Sequence, residues 1–157
     1  MFILEGIFAG FIATLLFDLY QFSLSYAYNI NKSRWDLVGR YFLGVSRGVY
    51  LQENIENESS EKNELTVGYF IHYIIGIIYG IIYASLNTLF YDNPSIALAL
   101  FIGFLTVLGS WCFMMPFVFN IGFFATKKDE QKQIMVQNLL AHFIFGTGLF
   151  IGLQILQ

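Results

Sequence analysis

Three ionisable side chains, Asp18, His72 and His142, each stand inside a long run with almost no other charge. One carboxylate and two imidazoles are the group types that relay protons, hold small cations or ligate Zn, Fe or Cu. The histidines sit in related phrases, HYIIG at 72–76 and HFIFG at 142–146, so the pattern His, aromatic, Ile, x, Gly occurs twice. A denser metal signature such as HExxH is absent.

The elements that must position these groups are apolar helices. The 157 residues are 57% hydrophobic, 19% aromatic and only 12% charged, outside the balance of a water-soluble domain. Asp, Glu, Lys and Arg are missing from 65–91, 93–126 and 134–157, and residues 2–30 hold only Glu5 and Asp18. Crossing a hydrocarbon core of about 30 Å takes roughly 20 helical residues, and the runs lack the alternation of a barrel strand. The sequence therefore predicts an all-α membrane protein, one polytopic domain over 1–157 with helices near 2–26, 66–90, 95–116 and 135–156. The first run has no basic start and is longer than a signal core, so it reads as a retained helix. Pro116 is expected to end or kink the third helix. Cys112 is the lone cysteine, which excludes an internal disulfide, and a net charge of −3 with no basic stripe excludes nucleic acid as a partner.

Every basic residue falls in two of the three connections. Lys32, Arg34, Arg40, Arg47 and Lys62 lie in 27–65, and Lys127, Lys128 and Lys132 lie in 117–134. The positive-inside rule makes both loops cytoplasmic and both termini external, which in a bacterium means the inner membrane. Residues 33–44, SRWDLVGRYFLG, read as a short amphipathic helix, with Ser33 as cap and Gly44 as stop, lying on the inner membrane surface or packed on the bundle as an ordinary cytoplasmic helix. The polar stretch 52–64 reads as a mobile loop. Gly122 with Lys127 and Lys128 could hold an anion or the headgroup of an anionic lipid, or simply anchor an interface turn.

Measured along their helices, Asp18, His72 and His142 lie about 22–27 Å from the outer ends, in one layer near the cytoplasmic surface. His72, Gly76, Gly80 and Ala84 form one stripe of i+4 spacing, so the histidines are expected to face inward with the packing face. Three readings fit the layer: an ion pair that fixes helix register, a metal or proton site, and a haem held between His72 and His142. GFIATL at 10–15 and GFLTVL at 103–108, in the same order as the His phrases, suggest two hairpins related as parallel repeats.

Several separated motifs together resemble a bacterial family of small integral membrane proteins catalogued only as a domain of unknown function. They are Asp18 after GFIAT, DLVGR at 36–40, Gly48, Glu64 before GYFIHYIIG, MP at 115–116, GFFATK at 122–127 and AHFIFGTGL at 141–149. The resemblance implies a four-helix inner-membrane protein and carries no activity or cofactor with it. It brings Asp36, Arg40 and Glu64 into the candidate set as supporting residues, beside Lys127.

The functional expectation is binding or transport of a small ion or metabolite at Asp18, His72 and His142, with Arg40 and Glu64 closing the site. The alternative is an accessory or scaffold subunit whose cytoplasmic loops bind a partner or anionic lipid. An enzyme is not favoured, because no nucleophile stands beside a base. The GxxxG phrases at 6–10 and 76–80 allow a homo-oligomer.

Overall fold

The computed structural model describes residues 2–52 and 55–157, and among them every regular element is a helix. The order is α1 (Phe2–Tyr28), α2 (Trp35–Ser46), α3 (Glu64–Phe90), α4 (Ile96–Gly109) and α5 (Gln131–Leu156). α4 runs on as a π-helix, Ser110–Val118, and a 3-10 turn follows at Phe123–Ala125. Among the described residues, four helices are long and apolar enough to cross a membrane: Phe2–Tyr28, Glu64–Phe90, Ile96–Val118 and Gln131–Leu156. Phe11, Ile78, Phe101 and Phe143 project from them at 45–57% exposure. Apolar side chains of that size, outward on every span, are suited to lipid rather than water. The protein is a multi-pass membrane protein.

Two local expectations shift. Pro116 does not end its helix, because the chain widens into π geometry and passes through it to Val118; a wide turn accommodates the missing N–H and the ring. Residues 33–44 are helical as α2, two residues further along than expected. Arg34 stands at the cap without a side-chain cap bond, and Ser33 offers only its carbonyl, to the Trp35 N–H at 3.1 Å. Gly44 is not the stop: it is buried against the Gln52 side chain, and the left-handed turn comes at Gly48, with φ +85°.

The residues group into two compact units, Met1–Lys32 with Tyr73–Thr106 and Leu139–Gln157, and Ser33–His72 with Val107–Asn138. In the first, glycine sets the helix approach. A Cβ on Gly6 would stand 2.5 Å from the Ile81 Cα, one on Gly80 2.5 Å from the Gly10 nitrogen, and one on Gly10 would overlap the Gly76 carbonyl. α1 and α3 thus cross antiparallel, backbone on backbone. Both GxxxG phrases are engaged with each other inside the chain, which removes the ground on which they were offered to a second copy. On another face of α1, the buried Ala9 and Ala13 meet Gly152 and Gly148 of α5, where an added Cβ would come within 2.6 Å of either Cα. Gly103 of α4 meets Gly146 of α5 at 2.9 Å by the same measure. Gly10 on Gly76 and Gly103 on Gly146 are the glycines that the two repeated phrases align, although α4 meets α5 about one turn out of that register, Gly103 lying against the His142 carbonyl and Gly146 against Ala99.

The turn between α3 and α4 is tied by polar groups. The Tyr83 hydroxyl donates to the Ser95 carbonyl at 3.2 Å, and the Ser95 N–H donates to Asn87 Oδ1 at 2.8 Å. Ser95 Oγ in turn accepts from the Leu98 N–H at 3.3 Å, opening α4.

In the second unit Leu37, Val38, Tyr41, Ile55 and Val118 form a core. α2 meets the first turns of α3 through glycine again: a Cβ on Gly39 would overlap the Glu64 carbonyl, and one on Gly68 the Trp35 carbonyl. Within the polar stretch 52–64 not every described side chain is solvated. Gln52 and Ile55 are buried, Ile55 completely, because an aliphatic side chain among acids still seeks the core; Glu53 and Asn54 lie outside the described residues.

Candidate functional site

α1 buries Gly6, Ala9, Gly10, Ala13, Thr14, Phe17 and Asp18. Gly6, Gly10, Thr14 and Asp18 follow one another at i+4 spacing, so the carboxylate extends the packing stripe and is only 6% exposed. One residue earlier, the Phe17 ring meets the His142 ring edge-on, with centroids 5.4 Å apart and planes at 80°. α5 presents His142 from the turn that packs on α4, its carbonyl lying where a Gly103 Cβ would stand, 2.6 Å away. Its Nδ1 is 2.7 Å from Thr106 Oγ1, and that same oxygen is 2.6 Å from the Gly103 carbonyl. Asp18, Phe17, Thr106 and His142 therefore all belong to the first unit, contributed by α1, α4 and α5.

His72 belongs to the second unit. Its ring stacks on the Trp35 indole at 3.8 Å with planes 20° apart, and Trp35 also meets Tyr69 at 6.2 Å. α2 thereby covers one face of the imidazole.

The supporting candidates have their own partners. Arg40 and Glu64 form a two-bonded pair, Nε to Oε2 at 2.8 Å and Nη2 to Oε1 at 3.0 Å, with side chains 7% and 12% exposed. Nη1 of Arg40 also donates to the carbonyls of Ile55 at 2.6 Å and Glu58 at 3.0 Å, while Glu64 Oε2 accepts from the Glu61 N–H at 2.7 Å. One guanidinium thus clasps α2, the start of α3 and the 55–64 segment. The bond to Glu64 raises the Arg40 pKa above its usual value. Asp36 accepts from Arg34, Nη2 to Oδ2 at 2.6 Å, and that bond holds its carboxyl below the usual range. Lys127 donates to Asn120 Oδ1 at 2.8 Å. It lines a cleft of about 180 Å³ with Lys128, Asn120, Ile55, Glu56 and Asn57.

Among the described residues no three His, Cys, Asp or Glu side chains gather so as to hold a metal ion. The haem reading has no support beyond the sequence. Thr106 and Phe17 escaped the sequence reading, although GFLTVL, read only as a repeat, placed a hydroxyl in an apolar span. Trp35, part of the apolar face of the 33–44 helix, covers His72.

A family model matches residues 7–156, almost the entire chain. The chain belongs to the family Protein of unknown function (DUF2938). No curated protein and no solved structure matches it. For this DUF2938 member the site geometry is thus the ground for function, and the family places it among proteins of unknown activity, as the resemblance implied.

Proposed function

We propose that this protein binds a small ion or polar metabolite within the membrane, at a cytoplasm-facing site built on Asp18 and His142, and that transport across the bilayer is the use of that site. The supporting observation is the buried Asp18 on the inward stripe of α1, next to the Phe17 ring that touches His142. Ionisable groups inside membrane helices are costly and characteristically line ion paths or proton relays. His72 enters through its depth in the sequence and is tested by its own substitution. The basic residues of 27–65 and 117–134 support a cytoplasmic position for both loops at a bacterial inner membrane, with both termini outside.

The test is thermal unfolding in nanodiscs against a solute panel of protons, alkali and divalent cations, amino acids and organic anions. A solute at about a hundred times its Kd stabilises by about 2.7 kcal/mol, which for a chain of this size is roughly 5–10 °C. Asp18→Asn and His142→Gln should each abolish the shift. A panel response identical in wild type and both variants overturns the reading.

The cleft at Lys127 and Lys128 favours a second reading, an accessory subunit that holds an anionic headgroup there. Lys127→Gln with Lys128→Gln would then weaken pull-down by phosphatidylglycerol vesicles while leaving the solute response intact.

A further inference from the structure

The Thr106 hydroxyl has one proton and two close partners, the Gly103 carbonyl at 2.6 Å and His142 Nδ1 at 2.7 Å. A carbonyl oxygen can only accept, so the hydroxyl must donate to Gly103. The 2.7 Å contact is then a hydrogen bond only if His142 Nδ1 carries a hydrogen and Thr106 Oγ1 receives it. Any other arrangement sets two acceptors face to face in a buried site, since Thr106 is only 6% exposed. In water the neutral imidazole prefers the opposite tautomer, with hydrogen on Nε2. Thr106 reverses that preference, as second-sphere partners do for catalytic and ligating histidines.

We infer that the ion taken by this site is a proton, that it is accepted at His142 Nε2, and that Thr106 is the positioning residue that reserves Nε2 for it. The inference rests on the ion-binding reading above and names its ion. With Nδ1 already protonated, Nε2 is the only ring atom with a lone pair to offer. Proton uptake there converts imidazole to imidazolium, charge 0 to +1, and leaves the Nδ1–H bond to Thr106 in place, so no element has to move. Imidazole is the side chain that makes this change between about pH 5 and 8, and no cluster of metal ligands competes for the role among the described residues. α4 brings Thr106 and Gly103 to the ring, neither titratable, and α1 brings Phe17. Asp18, next on α1 and buried, is the acidic residue of that turn.

The experiment is nitrogen-15 NMR of histidine-labelled protein in nanodiscs, with His72→Gln used to assign the two rings, titrated from about pH 8 to about pH 5. The expected result for His142 is a protonated, pyrrole-like Nδ1 at every pH and a pyridine-like Nε2 that becomes protonated on acidification. Thr106→Val, equal in volume but lacking the oxygen, should return the neutral ring to the Nε2–H form, and Thr106→Ser should keep the wild-type pattern. A neutral wild-type ring with hydrogen on Nε2, or an Nε2 that never gains a proton over this range, overturns the inference, and both are read on the wild-type protein once the rings are assigned. The ring is read without added solute, while the solute panel is blind to the tautomer, so failure of one is separable from failure of the other.

Discussion

Removing the Arg40 side chain tests the idea that the second unit is held by one buried cation. Arg40→Leu keeps much of the volume but leaves Glu64, 12% exposed, as a carboxylate without its guanidinium, and strips the Ile55 and Glu58 carbonyls of a donor. Breaking one side of a buried ion pair costs about 3–5 kcal/mol, a fall in Tm of roughly 6–20 °C for a chain of this length. Converting both partners to leucine removes the orphaned charge and should cost less than the single change, so the double variant recovers stability relative to Arg40→Leu. The assay is the double-mutant cycle by thermal unfolding in nanodiscs, with limited proteolysis of 52–63 as a local readout, since the same guanidinium fixes that segment. If Arg40→Leu lies within about 1 kcal/mol of wild type, a value ordinary for an exposed pair, or if the two single effects simply add, the clasp is not structural and the reasoning fails.

Other outcomes follow from the same geometry. The Arg34 and Arg47 bonds hold the Asp36 and Glu61 carboxyls below their usual values, so their stabilisation is complete above the unfolded pKa and is lost as the pH falls through the depressed values. Acid unfolding should steepen below about pH 4, and Asp36→Asn should flatten that limb of a stability titration. Gly10→Leu, placed against the Gly76 backbone, should prevent assembly of α1 with α3, seen as loss of monodisperse protein on gel filtration. Gly109→Ala, where an added Cβ meets nothing within 4 Å in a helical conformation, should raise stability by up to about 1 kcal/mol. In a Cys112→Ser background, Ser59→Cys and Lys132→Cys should react with a membrane-impermeant thiol reagent from one side of the membrane and Asn93→Cys from the other.

The spans were legible because lipid imposes a length and forbids charge, and both can be counted along a chain. The stripe His72, Gly76, Gly80 and Ala84 was legible as a packing face for a related reason, whereas the stripe Gly6, Gly10, Thr14 and Asp18 that turns the carboxylate inward emerges only with the fold. What the sequence could not supply was the partner. GxxxG at 6–10 and 76–80 says that something approaches closely, and only the fold shows that each phrase faces the other. Arg40 and Glu64 likewise read as site residues until their bonds to each other and to the Ile55 and Glu58 carbonyls are seen. Ile55 was misjudged because composition averages over a segment, whereas burial is decided one side chain at a time. The π-helical passage through Pro116 had no signal short of tertiary structure.

The two occupied faces of α1 have a consequence for how the protein is made. Ala9 and Ala13 leave the ribosome well before their partners, Gly152 and Gly148 of α5. During synthesis that seam stays open to lipid until α5 is inserted, so closure of the first unit waits for that helix. A nascent chain stalled before residue 148 would present a naked alanine face in the bilayer, a recognisable mark of an unfinished product for intramembrane quality control.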